Sequence, residues 1–69
     1  MTTIYVYLRN EGTDVWRPVE AEHLGGDAYR IVGTPAEGEE WEFGAGEVVR
    51  CSPRMLSDGE QMVAVERAG

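Results

Sequence analysis

The feature that most restricts this chain is the strict alternation of side chains near its start. Thr2 to Arg9 reads Thr-Thr-Ile-Tyr-Val-Tyr-Leu-Arg, so Ile4, Val6 and Leu8 fall on one side of an extended backbone. Thr3, Tyr5, Tyr7 and Arg9 fall on the other. Similar two-residue phases recur along the chain, and apolar residues nowhere return at helical spacing over a run of about ten positions. The chain is therefore expected to be all-β.

Asn10 to Asp14 reads as the turn that follows this first strand, its Gly and Asp easing reversal of the backbone. A second strand runs from Val15 to about Leu24, with Val15, Val19 and Ala21 in one phase and Trp16, Glu20 and Glu22 in the other. Pro18 has no N–H for a ladder, which makes this strand an edge or a bulged one. Gly25-Gly26-Asp27 is a hairpin turn of the kind that needs positive φ, and it leads into Ala28 to Val32, where Tyr29 and Ile31 share a face. From Gly33 to Gly46 the pattern loosens into a long polar loop, interrupted by Trp41-Glu42-Phe43. Glu47 to Cys51 and Gln61 to Glu66 are the last two strands, Val49 and Cys51 in phase in one, Val63 and Val65 in the other. Pro53 to Gly59 reads as the connection between them, ending in the turn Ser57-Asp58-Gly59, with Met55 and Leu56 expected over one end of the core.

A chain of 69 residues supports one small domain, spanning residues 1–69, with little stability to spare. Five short strands and one longer loop fit a small five-stranded antiparallel SH3-like barrel, partly open. The alternative is a twisted antiparallel meander that completes its core by dimerisation.

The segments Val15-Trp16-Arg17-Pro18-Val19, Tyr29-Arg30-Ile31, Glu40-Trp41-Glu42-Phe43 and Gly46-Glu47-Val48-Val49-Arg50-Cys51 together resemble a group of short uncharacterised bacterial proteins. The resemblance covers roughly residues 4 to 65 and implies a stand-alone bacterial domain; it transfers no catalytic residue. A looser similarity is to Tudor-like and other SH3-like modules, which share a Trp at a strand start, a Tyr-x-Ile strand and a Gly-Glu-Val-Val strand.

Charge narrows the partners. Thirteen carboxylates face six cationic side chains, all of them Arg, for a net charge of −7. Such a surface repels phosphate, so neither nucleic acid nor an anionic membrane is an expected partner. Met1 is followed directly by Thr2-Thr3-Ile4 without a basic region or a long apolar run, and the lone Cys51 has no partner for an internal disulfide. Both point to a cytoplasmic protein.

Candidate chemistry is sparse. Cys51 and His23 are the only nucleophile and base available, yet Cys51 shares the phase of core residue Val49, where a thiol is a small inert hydrophobe. His23 stands just before a tight turn and has no second His or Cys at ligand spacing, so no metal site, cofactor or catalytic residue is expected. Glu37, Glu39, Glu40, Glu42 and Glu47 lack the spaced-ligand pattern of a calcium loop. The glycines lack the helix and Lys of a phosphate loop. Arg17, Arg30 and Arg50 read as members of exposed ion pairs with acids such as Glu20, Glu22 and Glu47.

The aromatic residues say more. Tyr5 and Tyr7 occupy the face that Ile4, Val6 and Leu8 do not, so something must cover them. The expectation is a non-enzymatic binding module in which Tyr5, Tyr7, Trp16 and Trp41 anchor a basic protein or peptide, rimmed by Glu20, Glu22, Glu39 and Glu40. An immunity or inhibitor protein that blocks a basic site has the same features. The alternative is a homo-oligomeric structural protein whose aromatic face is its own contact.

Overall fold

In the computed structural model, which describes residues 1–68, each alternating stretch is a strand. The order is β1 (Thr2–Leu8), β2 (Val15–Gly25), β3 (Ala28–Ile31), β4 (Val48–Leu56) and β5 (Gly59–Arg67), with no helix among the described residues. Successive strands pair antiparallel, and the sheet closes into a ring through one parallel pairing of Tyr5 on β1 with Val63 on β5. The chain is thus an all-β domain whose ring closes at the β1–β5 seam with a single ladder pair.

The alternation decides what lies inside. Ile4, Val6 and Leu8 from β1, Val19 and Ala21 from β2, Tyr29 and Ile31 from β3, and Val49 and Cys51 from β4 are all buried, as their phases require. Phe43 joins them from the long loop. The loop reaches the ring because residues 40–42 run along β1: Arg9 N–H donates to the Glu40 carbonyl at 2.8 Å and Glu42 N–H to the Tyr7 carbonyl at 2.9 Å.

Both hairpin turns fall where the sequence places them. Gly25 and Gly26 adopt φ of 122° and 56° between β2 and β3, and Gly59, with φ of 113°, follows Ser57-Asp58 between β4 and β5.

Three details differ from the sequence reading. The strand expected to end at Cys51 runs on to Leu56, so most of the supposed connection is ladder. Pro53 is tolerated because that edge of β4 is engaged only as far as Cys51, whose N–H donates to the Asp27 carbonyl at 2.8 Å, and no ladder partner follows beyond it. Pro18 has the same explanation, since β3 pairs with β2 only from Ala21 onward. The β2 bulge lies instead between His23 and Gly25.

Second, Val65 does not share the burial of Val63. The β4–β5 register passes from Arg50↔Glu66 to Cys51↔Ala64, which leaves Val65 as the extra residue of a bulge. Val65 is consequently 50% exposed, and Ala64 takes the core position. Third, Met55 does not cap the core: it is 72% exposed at the end of the β4–β5 hairpin, and Leu56 is half-buried.

Candidate functional site

On the outer side of β1 and β2 the register sets Tyr7 opposite Trp16, Tyr5 opposite Pro18 and Thr3 opposite Glu20. Residues directly opposite in an antiparallel pair share a face, so this is a ladder of rings flanked by an acid. Tyr7 and Trp16 meet edge to face, their centroids 5.3 Å apart at 69°. The Tyr7 hydroxyl donates to Asp14 Oδ1 at 3.2 Å, and this hydrogen bond to an anion is the main reason its pKa is raised.

The hairpin formed by β4 and β5 reaches over this face. Arg54 places its guanidinium 5.3 Å from the centroid of the Trp16 ring, within the range of a cation–π contact. Between Tyr5, Val15 and Trp16 on one side and residues 54–58 on the other lies a groove of about 480 Å³, with Asp14 and Asp58 among its walls. Neither carboxylate has a cationic partner within 4 Å among the described residues. The volume lies within the ordinary range for ligand clefts, and its walls combine rings, aliphatic groups and acids.

Trp41 does not belong to this surface. It bridges the buried Leu8 and packs against the core, so it faces inward while Tyr5, Tyr7 and Trp16 face outward. Its indole N–H donates to Glu39 Oε1 at 3.0 Å, and Glu39 Oε2 accepts from Arg17 Nη2. Those donors, the indole first, hold the Glu39 carboxyl below its ordinary pKa against the opposing effect of desolvation.

Much of the acidic rim is likewise engaged within the chain. Glu40 accepts from Asn10 at 2.7 Å, and Glu22 lies 3.4 Å from Arg30, its cross-strand neighbour. Glu47 accepts from the Gly44 N–H and from Arg67, and these two bonds, in that order, lower its pKa. Arg50 sits 3.7 Å from Asp27 and 3.6 Å from Glu66. The ion pairs expected of Arg17, Arg30 and Arg50 exist, but Arg17 pairs with Glu39 rather than Glu20, and Arg50 with Asp27 and Glu66 rather than Glu47. Glu20 stays exposed at the end of the outer ladder.

Cys51 is 4% exposed, and burial, with a smaller push from Asp27, raises its thiol to about 11. A nucleophilic thiol needs the opposite shift. His23 stacks on Tyr29, with centroids 4.6 Å apart, and its Nε2–H donates to the Gly26 carbonyl at 2.8 Å. Both side chains thus serve the packing of the sheet and its hairpin. Among the described residues no cluster of three or more His, Cys, Asp or Glu is placed to hold a metal ion.

The structure therefore brings together Tyr5, Tyr7 and Trp16, sets Glu20 at the end of their ladder, and separates Trp41, Glu22, Glu39 and Glu40 from them by giving each a partner elsewhere. Asp14, Arg54 and Asp58 join the groove without having been read as site residues from the sequence, and Leu56, expected over the core, lines it as well. The signal for them was indirect: an aromatic outer face needs a cover, and Arg54 is the one cation in the segment that supplies it. The chain matches no protein-family model, no curated protein and no solved structure. No helix of the described residues is long and apolar enough to cross a membrane.

Proposed function

We propose that this protein is a non-enzymatic, SH3-like binding module of the cytoplasm that holds an extended segment of a basic protein on the outer face of β1 and β2. One observation carries the reading: Tyr5 and Trp16 form a wall of a groove that also contains Asp14 and Asp58, two carboxylates without cationic partners among the described residues. Aromatic rings supply contact area at small entropic cost, and carboxylates without a cationic partner attract a cation to them. The net charge of −7 adds long-range steering toward a basic partner.

Glu22, Glu39, Glu40 and Glu47 are left out of the site, because they hold the domain's own donors. Selection from a displayed library of random dodecapeptides tests the reading. The enriched peptides are expected to carry Arg or Lys and to lose binding when Trp16 is replaced by Ala, while Glu22→Gln leaves them bound. Enrichment of acidic or purely apolar peptides, or of peptides indifferent to Trp16, would overturn it.

A further inference from the structure

Four of the six arginines, Arg17, Arg30, Arg50 and Arg67, reach a carboxylate within 4 Å. Arg54 reaches none among the described residues, although Asp14 and Asp58 line the same groove, and it rests on the Trp16 ring instead. It does so from a segment with little support. Beyond Arg50, β4 has no β3 neighbour, and β5 residues Gly59 to Met62 pair with β4 alone. The end of this hairpin is a two-stranded arm, and two strands by themselves are only marginally stable in water. Met55 at its end is mostly exposed, while Met62 packs against the core and Leu56 is half-buried, so the arm is anchored at its base and least supported at its tip.

We propose that the Trp16 face is a site for an arginine side chain of the partner, and that Arg54 is an internal occupant which that side chain displaces. The inference rests on the binding function proposed above and names the group recognised. A guanidinium fits better than an ammonium because it stacks flat on an indole and offers a fork of donors to carboxylates such as Asp14 and Asp58. Arg54 already places a guanidinium over this ring, 5.3 Å from its centroid, from the protein's own chain. Swinging the arm away exchanges one guanidinium for another on the ring and leaves both acids for the incoming group. Binding is then weaker than the ring and acids alone allow, since part of the interaction replaces one that Arg54 already made.

The test compares fluorescein-labelled octa-arginine and octa-lysine by anisotropy at about 0.15 M salt, against the wild type, Arg54→Gln and Arg30→Gln. Arg30→Gln removes the same charge from β3 and corrects for the general gain in attraction. The expected result is that octa-arginine binds more tightly than octa-lysine. Arg54→Gln should tighten octa-arginine by about fivefold, the scale of one exposed cation–π contact, and by clearly more than Arg30→Gln does. If octa-arginine binds the wild type and Arg54→Gln does no more than Arg30→Gln, or weakens binding, displacement is wrong and the basic-partner reading stands. If the two peptides bind equally, the preference for a guanidinium is wrong. If neither peptide binds any of the three proteins at about 1 mM, the binding function and this inference fall together.

Discussion

Glu39 accepts the indole N–H of Trp41 at 3.0 Å while its second oxygen takes the guanidinium of Arg17 on β2. A carboxylate in the most acidic part of the chain thereby becomes a latch that ties the long loop to the ring. Replacing Glu39 by Ala leaves the partly buried indole N–H and Arg17 without their acceptor. The variant is expected to melt at a lower temperature and to show red-shifted tryptophan emission, with faster hydrogen exchange at the Arg9 and Glu42 amides that bond the loop to β1. Unchanged exchange at both amides would show that the latch does not hold the loop.

Acid should open the same latch. Glu39 and Glu47 both have folded pKa values below the ordinary 4.5. Their contribution to stability is full above the unfolded pKa and is lost as pH falls through the depressed folded values, because the unfolded chain binds the protons first. Melting temperature should therefore decline below about pH 4.5, and the decline should be shallower in a Glu39→Ala, Glu47→Ala double variant than in the wild type.

Cys51 titrates in the opposite sense. Its folded pKa of about 11 lies above the ordinary 9.0, so stability is full below pH 9.0 and is lost as pH rises toward 11. At pH 8 the thiolate fraction in the folded state is lower by about 100-fold than in the unfolded chain, and alkylation by iodoacetamide should slow at least that much relative to denaturant. Equal rates in the two conditions would place the thiol outside the core.

The buried face of β1 and the β5 bulge give a pair of contrasting substitutions. Ile4→Ala removes a fully buried side chain and is expected to cost about 2–5 kcal/mol by chemical denaturation, enough to unfold much of so small a domain. Val65→Thr, at a half-exposed bulge position, should change stability by less than about 0.5 kcal/mol. A large loss at Val65 would mean that it shares the inward phase of Ala64.

The strands and the core were legible in the sequence because a period of two follows from backbone geometry alone: Ile4, Val6, Val19, Ile31 and Val49 need no knowledge of their neighbours to be placed inside. Val65 was not, since one extra residue in β5 reverses the phase and leaves no local mark. The acidic loop was visible as composition but not as a set of partners. Glu39 meets Arg17 across 22 residues and Glu40 meets Asn10 across 30, and such pairings exist only once the ring has formed. Trp41 turned inward for the same reason: its environment is set by Leu8 and the core, not by the acids beside it in sequence. Tyr5, Tyr7 and Trp16 were legible as a face, and Arg54 was not legible as its cover, because Pro53 disguised the strand that carries it.

The domain is expected to be a monomer of 7.6 kDa at about 0.1 mM, with an outer face left for a partner of different sequence. Sedimentation at several concentrations checks this. A stable dimer that protects Tyr5 and Tyr7 from solvent would assign the aromatic face to self-association instead.

The most direct test uses the two indole N–H groups as reporters of opposite sides of the ring. Trp16 lies under Arg54 on the outer face, and Trp41 is bonded to Glu39 at the core. In a ¹H–¹⁵N titration with octa-arginine, the Trp16 indole signal is expected to move to saturation, together with the amides of Tyr5, Tyr7 and Arg54, while the Trp41 signal stays in place. Movement of Trp41 without Trp16, or no movement of either signal at about 1 mM peptide, would contradict the assignment of the outer aromatic face as the binding site.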